Sequence, residues 1–542
     1  MTAGTTGRPL PGAPAEPFDQ LALDLPDLGT APAGGRGRRR LVPADPWPWL
    51  LGLAVALGVA ARTWSQSALW LDEALSLGIA RLPVPDLLSA LRRDGSPPLY
   101  YLLLHAWIAL VGEGDAAVRW LSTVCSLATL PVAWLLGRRL GGRTAAWAAL
   151  LLLATSPFAV RYASEARMYA LLQLLSAVGL LALLRALERP VLARLAPVAV
   201  VSGLLALTHY WALFLLAAAG IGLLLAGRRG PGRLAARRTL AALLAGGLVF
   251  APWLPTFAFQ VRRTGTPWAA APRLTAPYDT VLAWSGGSGG WAVLLLGLLL
   301  WLSVLAVLAR PWQPGARGLL LGPPADRPAL LLLGASLGTL LLGLLAAVVV
   351  GAGYAFRYSS AALVPGLLLA ALGVRALSPR AVRVVLALAA VAGLVMALPQ
   401  PFSERRTQAA RTAVALERGL APGDLVVYCP DQLGPDLSRL LPSTVDQVVY
   451  PSLGDPGLVD WVDYAERNAA ADPLEVAGRL DGRSAGAVWL VSAPGYRTFG
   501  TQCERLGEAL ERRRGDPLLW TGRSARFDQQ QQVVRYPGRT AG

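Results

Sequence analysis

The chain has 542 residues, 54% hydrophobic and 15% charged, with a formal net charge of +17 and no lysine, so every basic side chain except two histidines is an arginine. Soluble domains carry about 25% charged residues, so this composition, with a mean hydropathy of +0.47, excludes an ordinary soluble enzyme and indicates a membrane protein. The basic excess does not read as nucleic-acid binding, because no recognition module accompanies it and the arginines sit in short loops between apolar runs.

Residues 1–46 are rich in Pro, Gly and Ala and end in Arg36, Arg38, Arg39 and Arg40. They are expected to form a disordered cytoplasmic tail whose basic cluster anchors the first span. A run of about 20 apolar residues crosses the hydrocarbon core. Such runs recur near 47–62, 116–137, 145–160, 168–187, 191–208, 210–226, 239–255, 291–309, 329–350, 358–376 and 382–398. With the N-terminus inside, loops holding Arg138, Arg139 and Arg143, then Arg185, Arg189 and Arg194, then Arg375, Arg380 and Arg383 fall on the cytoplasmic side. That side then carries about twice the arginines of the other, the expected asymmetry. Segment 97–112, PPLYYLLLHAWIALVG, is short and contains His105. Counting it as a span would move the arginine-rich loops outside, so it is expected to lie along the external interface.

The last 140 residues or so change character. Short β-like runs at 425–429, 445–451 and 487–494 alternate with helix-like stretches near 404–420, 457–480 and 499–514. Cys429 and Cys503 fall in this region and are able to pair if it lies outside the cytoplasm, while Cys125 sits in an apolar run. The expected architecture is a polytopic α-helical membrane protein. It has about eleven transmembrane helices in a domain over 47–400 with an external loop at 63–115, and a small extracytoplasmic α/β domain over 401–542.

Four stretches carry residues suited to chemistry, and this topology puts all four at the external face. The first loop holds Asp72 and Glu73, then Asp94, Tyr100 and His105. Adjacent carboxylates beside hydrocarbon are costly, about 2.5–3.5 kcal/mol for a central Asp and less at an interface. A transferase that deprotonates an acceptor hydroxyl needs such a base, and Asp72 with Glu73 is the catalytic candidate. The alternative is that Asp72 caps a short helix and Glu73 is solvated.

The second stretch holds Arg161, Glu165, Arg167 and Tyr169. Arg161 and Glu165 stand at i,i+4, so a helical ion pair competes with a role for Glu165 as metal ligand or donor-positioning group. Arg161 and Arg167 suit phosphate through their planar fork of donors. The third stretch holds His209 and Tyr210, with His209 the companion of Glu165 for a divalent cation. The fourth holds Arg357 and Tyr358, read either as an interfacial anchor or as a pair for lipid phosphate. Tyr100, Tyr169, Tyr210, His105 and Asp94 complete the expected substrate cleft.

The segments WLDEALS (70–76), DGSPPLYYLLLHAW (94–107), VRWLS (118–122), LGRRLGG (136–142), SPFAVRYASEARMYAL (156–171), THYWALF (208–214) and FRYS (356–359) resemble the GT-C superfamily. Within it they are most similar to the family 39-like bacterial enzymes related to protein O-mannosyltransferases and aminoarabinose transferases. The resemblance spans 47–400 and implies an inverting glycosyltransferase. Its donor would be a polyprenyl-phosphate-linked sugar, its acceptor a glycan, lipid or protein, and its active site extracytoplasmic in the cell membrane. It maps the family's first-loop acid to Asp72, its metal-associated acid to Glu165 and its late Arg-Tyr to Arg357 and Tyr358. Ser96 stands where relatives have His before Pro-Pro, and no lysine is available for the donor phosphate. A multi-pass transporter or lipid flippase is the alternative class. It predicts charges at mid-span and repeated halves, which the sequence does not display.

Overall fold

The computed structural model describes residues 45–542 apart from 229, 231, 266–271, 316, 317, 323–326, 351, 352, 404, 494–497 and 540–542. The tail expected over 1–46 lies almost wholly outside the described residues. In chain order the helices are α1 (Trp47–Ala60), α2 (Leu71–Ala80), α3 (Val84–Asp94), α4 (Leu99–Val111), α5 (Asp115–Ala154), α6 (Pro157–Ala163), α7 (Tyr169–Glu188), α8 (Leu192–Thr208) and α9 (Ala212–Ala226). There follow α10 (Arg233–Phe250), α11 (Leu254–Arg263), α12 (Ala276–Trp284), α13 (Gly290–Leu308), α14 (Arg327–Val350), α15 (Ser360–Gly373) and α16 (Pro379–Ala397).

Seven described stretches are long and apolar enough to cross a membrane, and α1, α8 and α9 are shorter apolar helices. Helix α5 merges two spans. Gly142 breaks it at φ 78° and ψ −169°, a conformation that favours glycine. The two halves then meet so closely that a Cβ on Gly137 would sit 2.8 Å from the Ala145 carbonyl oxygen. The expected count of eleven is reached only when the halves of α5 are counted separately and the three shorter helices α1, α8 and α9 are added to the seven. The span expected over 145–160 ends early, however. Ser156 accepts a hydrogen bond from the Ala159 amide, and Pro157 follows at the first helical position. Those are start signals, so α6 is a new helix rather than the end of the old one.

At the end of α1 a fully buried arginine, Arg62, donates to the carbonyls of Gly58, Leu153 and Ala154 at 2.5–2.6 Å and to Ser126 Oγ at 3.1 Å. A cation at two helix C-termini is favoured by their unpaired carbonyls. It fastens α1 to the end of α5, just before α6. Helix α4 has 13 residues, about 20 Å at 1.5 Å per residue. It is the shortest of the four shorter apolar helices.

The C-terminal region contains α17 (Ala409–Glu417), β1 (Leu425–Cys429), α18 (Gly434–Ser438), β2 (Asp446–Val449), α19 (Tyr464–Ala470), α20 (Pro473–Arg483), β3 (Val488–Ser492), α21 (Gln502–Arg514), β4 (Leu518–Thr521) and β5 (Gln532–Tyr536). The three β-like runs become β1, β2 and β3, while β4 and β5 had no expectation. The sheet runs β2-β1-β3-β5-β4, with β1 parallel to both neighbours and β5 antiparallel to both of its own. Cys429 and Cys503 form a disulfide between β1 and α21, and Cys125 is buried and free.

This region is fastened to the loop after α1. Helix α18 packs on α2, Arg439 meets Asp115 at 2.6 Å, and the Trp461 amide donates to Arg93 O at 3.1 Å. Sheet and first loop therefore stand at the same end of the helical bundle.

Candidate active site

Helix α2 begins after extended Trp70, which places Asp72 and Glu73 in its first turn, where carboxylates are favoured by the unpaired amides. The two then part. Glu73 turns inward with no exposed surface. It accepts from Arg119 Nε at 2.7 Å and Nη2 at 2.6 Å, from the Ala166 amide at 2.9 Å and from Arg406 Nη1 at 3.4 Å. Burial alone would raise its pKa, but the charges of Arg119 and Arg406 and the hydrogen bonds hold it down at about 2. Glu73 thus joins α2 to α5, to the α6–α7 turn and to the C-terminal region. The expectation that Glu73 shares the work of a base does not fit this geometry, since both oxygens are already engaged by protein donors.

Asp72 points the other way. Its Oδ2 is buried without a hydrogen-bond partner and lies 3.8 Å from Arg357 Nη2. Its backbone carbonyl accepts from Ser76 Oγ at 2.7 Å and from Arg167 Nη1 at 3.4 Å. Arg167 Nη1 also reaches Ser76 Oγ and Tyr101 OH, both at 3.1 Å, while its Nε is buried without a partner. Tyr101 OH in turn lies 3.3 Å from Asp94 Oδ2 and from Ser96 Oγ. Burial pushes Asp94 upward against the pull of Arg167.

The turn between α6 and α7 supplies Glu165, 1% exposed. Arg161 Nε donates to its Oε2 at 3.4 Å, and Oε1 is buried without a partner. Burial raises the Glu165 carboxyl, Arg161 and Arg406 oppose, and nearby Glu73 and Asp72 add to the rise. Below lies a row of rings: Phe158 to Tyr162 at 4.6 Å, Tyr162 to Tyr169 at 4.8 Å, Tyr169 to His209 at 5.9 Å and His209 to Tyr358 at 5.0 Å between centroids. Tyr169 OH is buried without a partner, and the Arg357 guanidinium lies 5.6 Å from the Tyr358 ring. His209 Nδ1 accepts from the Trp211 amide at 3.1 Å. Burial, with Arg167 and Arg357 nearby, holds this imidazole neutral at about 3.

Asp72, Glu165, Arg161, Arg167, Tyr169, His209, Arg357 and Tyr358 are therefore linked through direct contacts or shared neighbours, with Asp94 joined through Tyr101. Three expected cleft residues are not at the same place. His105 Nδ1 pairs with Ala80 O at 2.7 Å and closes the far end of α2. Tyr100 is fully buried with its hydroxyl 3.2 Å from Ser122 Oγ, behind the Arg167 carbonyl. Tyr210 bonds Gln260 and accepts from Trp253 Nε1 at 3.0 Å, tying α9 to α11. Each is an aromatic ring whose polar atom is spent on holding elements together.

The cation expected at Glu165 and His209 does not fit the donor set. Among the described residues no three His, Cys, Asp or Glu side chains converge, and the neighbours of Glu165 are the guanidinium groups of Arg161 and Arg406. No step is assigned to a metal below.

Sequence reasoning missed Arg406 and Gln529. Arg406 donates to Ser164 O at 2.6 Å and Ser164 Oγ at 2.9 Å as well as to Glu73. Gln529 Oε1 accepts from the Leu71 amide at 3.1 Å. Arg119 carried a signal, an arginine in an apolar helix. Arg406 and Gln529 carried none, since each is one polar residue among many in a polar region.

The sequence matches the family described as dolichyl-phosphate-mannose-protein mannosyltransferase over residues 95–255. No curated protein matches at the sequence level. Among solved structures, the chain resembles ArnT from Cupriavidus metallidurans bound to undecaprenyl phosphate, with TM-score 0.57 and 14% identity over 91% of this chain and 98% of that one. The apo state of that protein gives 0.58 and 13% over 90% and 97%. An Archaeoglobus fulgidus oligosaccharyltransferase tethered to an acceptor peptide gives 0.49 and 13% over 86% and 72%. The fold is that of the GT-C membrane enzymes. The sequence over 95–255 and the fold over 91% of the chain thus both resemble membrane glycosyltransferases.

Proposed function

We propose that this enzyme transfers a sugar from a polyprenyl-phosphate donor to a hydroxyl-bearing acceptor outside the cytoplasm, with inversion at the anomeric carbon. One observation carries the reading. Asp72 Oδ2, Glu165 Oε1, Arg167 Nε and Tyr169 OH are all buried without hydrogen-bond partners in one connected cluster beside Arg357. Buried polar atoms are nearly always paired, so such a concentration fits a site whose partner is a substrate. The resemblance to ArnT with its bound undecaprenyl phosphate supports a lipid phosphate as that partner. The arginine bias of the loops supports an extracytoplasmic position for this end of the bundle.

In this mechanism the acceptor hydroxyl gives its proton to Asp72 Oδ2 as its oxygen attacks the anomeric carbon. The bond from that carbon to phosphate breaks, and polyprenyl phosphate leaves with the electron pair. Arg167 and Arg357 meet the charge that develops on the leaving oxygen, a preorganised electrostatic contribution. Glu165, through Arg161, keeps the aromatic floor and the arginines in register. A single displacement at carbon inverts configuration.

The test is release of polyprenyl phosphate from a panel of labelled hexosyl and pentosyl polyprenyl phosphates by the purified protein in lipid vesicles. Asp72→Asn is expected to lower turnover by about 10²- to 10⁴-fold with polyprenyl-phosphate binding retained. Full turnover by Asp72→Asn removes the assignment of the base.

A further inference from the structure

The C-terminal region enters the site at two points, and one of them ends in an unused donor. Gln529 lies just before β5, and its backbone is clamped on both sides: its amide donates to Arg406 O at 3.2 Å, and its carbonyl accepts from the Gln408 amide at 3.0 Å. Its side-chain Oε1 takes the Leu71 amide, the residue before Asp72. Because Leu71 N–H is a donor, the oxygen of the side-chain amide must face it, and the nitrogen is directed elsewhere. That nitrogen, Nε2, is buried with no hydrogen-bond partner. Trp70 Nε1, one residue further along, is buried without a partner as well. Two buried donors without acceptors beside the catalytic carboxylate call for a ligand rich in oxygen.

Arg406 fixes where this donor stands. It is 5% exposed, is held by Ser164 O, Ser164 Oγ and Glu73, and its own carbonyl receives the Gln529 amide. A continuous set of hydrogen bonds thus runs from the α6–α7 turn through Arg406 to Gln529 and the first turn of α2. Gln529 thus brings a donor of the C-terminal region to the backbone next to Asp72. The donor phosphate is assigned to Arg167 and Arg357, which meet Asp72 at its carbonyl and carboxylate.

We propose that Gln529 is an acceptor-orienting residue, delivered to the active site by the C-terminal region and positioned by Arg406, and that it hydrogen-bonds an oxygen of a hydroxylated acceptor. The proposal rests on the reading of Asp72 as the base. The C-terminal region is then part of the machinery that chooses the acceptor and more than a cover over the cleft.

The discriminating variant is Gln529→Glu, which keeps an oxygen for the Leu71 amide but loses the Nε2 donor. Gln529→Met removes both without adding charge. Each full-length variant replaces the native copy, and membranes holding the natural acceptor are supplied with the labelled donor panel. Polyprenyl-phosphate affinity and thermal midpoint are measured on the purified proteins. Both variants are expected to lose about 10- to 100-fold in transfer, with polyprenyl-phosphate affinity unchanged and, for Gln529→Glu, an unchanged or higher midpoint. Arg406→Lys is expected to retain more transfer than Arg406→Gln. Wild-type transfer by Gln529→Glu or by Gln529→Met overturns the proposal, because a capping amide alone would explain the structure. So does a matching loss of polyprenyl-phosphate affinity, which would put Gln529 on the donor side. If wild-type membranes consume no member of the donor panel, the glycosyl-transfer reading itself fails, and the result is distinct from either.

Discussion

Glu73→Gln separates an anchor from a base, and its size follows from two independent routes. Glu73 is held at about 2 against an ordinary 4.5. At about 1.36 kcal/mol per pH unit, that depression is worth ~3 kcal/mol of stability. A carboxylate with a lowered folded pKa contributes this above its unfolded value, so the contribution is whole above pH 4.5 and fades as pH falls towards 2. The second route is the cost of removing one partner from a buried ion pair, about 3–5 kcal/mol, which applies because Arg119 is buried and doubly bonded to Glu73. The routes agree. Glu73→Gln is therefore expected to lose ~3 kcal/mol at neutral pH, read as a lower thermal midpoint and faster inactivation in detergent. Glu73→Gln with Arg119→Met is expected to recover part of the loss, since the doubly bonded guanidinium no longer faces an amide and only the longer Arg406 contact does. A Glu73→Gln protein that melts with wild type, while its turnover collapses as in Asp72→Asn, would refute the anchor and restore Glu73 as a chemical group.

Three further outcomes test the site. Arg167→Gln and Arg357→Gln are each expected to weaken polyprenyl-phosphate binding by about 10- to 100-fold, the worth of a charge-assisted hydrogen bond; unchanged affinity in titrations with polyprenyl phosphate would move the donor elsewhere. His209 is neutral in the fold, held at about 3, whereas an unfolded chain takes up a proton below 6.5. Stability is thus expected to fall from pH 6.5 towards 3, with His209→Phe flattening that slope in thermal melts. Turnover by wild type is expected to survive chelator treatment; its loss there, with His209→Phe already inactive, would show that a cation acts at this place.

The apolar runs fixed the traverses because hydrocarbon is an unforgiving solvent. A helix must supply about 20 apolar residues to cross it, and that demand is local in sequence. For the same reason α4, with 13 residues, stands out in the sequence as a short apolar helix. Asp72, Glu165, Arg167 and Arg357 were legible because charge beside hydrocarbon is expensive and stands out.

What the amino acids in order could not decide is which of two adjacent carboxylates is taken up by protein donors. Asp72 and Glu73 differ by one step around α2, and only the position of Arg119, 46 residues away, and Arg406, 333 residues away, takes Glu73 out of play. The same holds for Gln529, which reaches Leu71 across 458 residues of chain from the segment leading into β5, in a sheet whose last two strands had no local signature. Membrane spans are written residue by residue because each must satisfy the lipid alone. The site is assembled from hydrogen bonds between distant segments, and their partners exist only once the chain has folded.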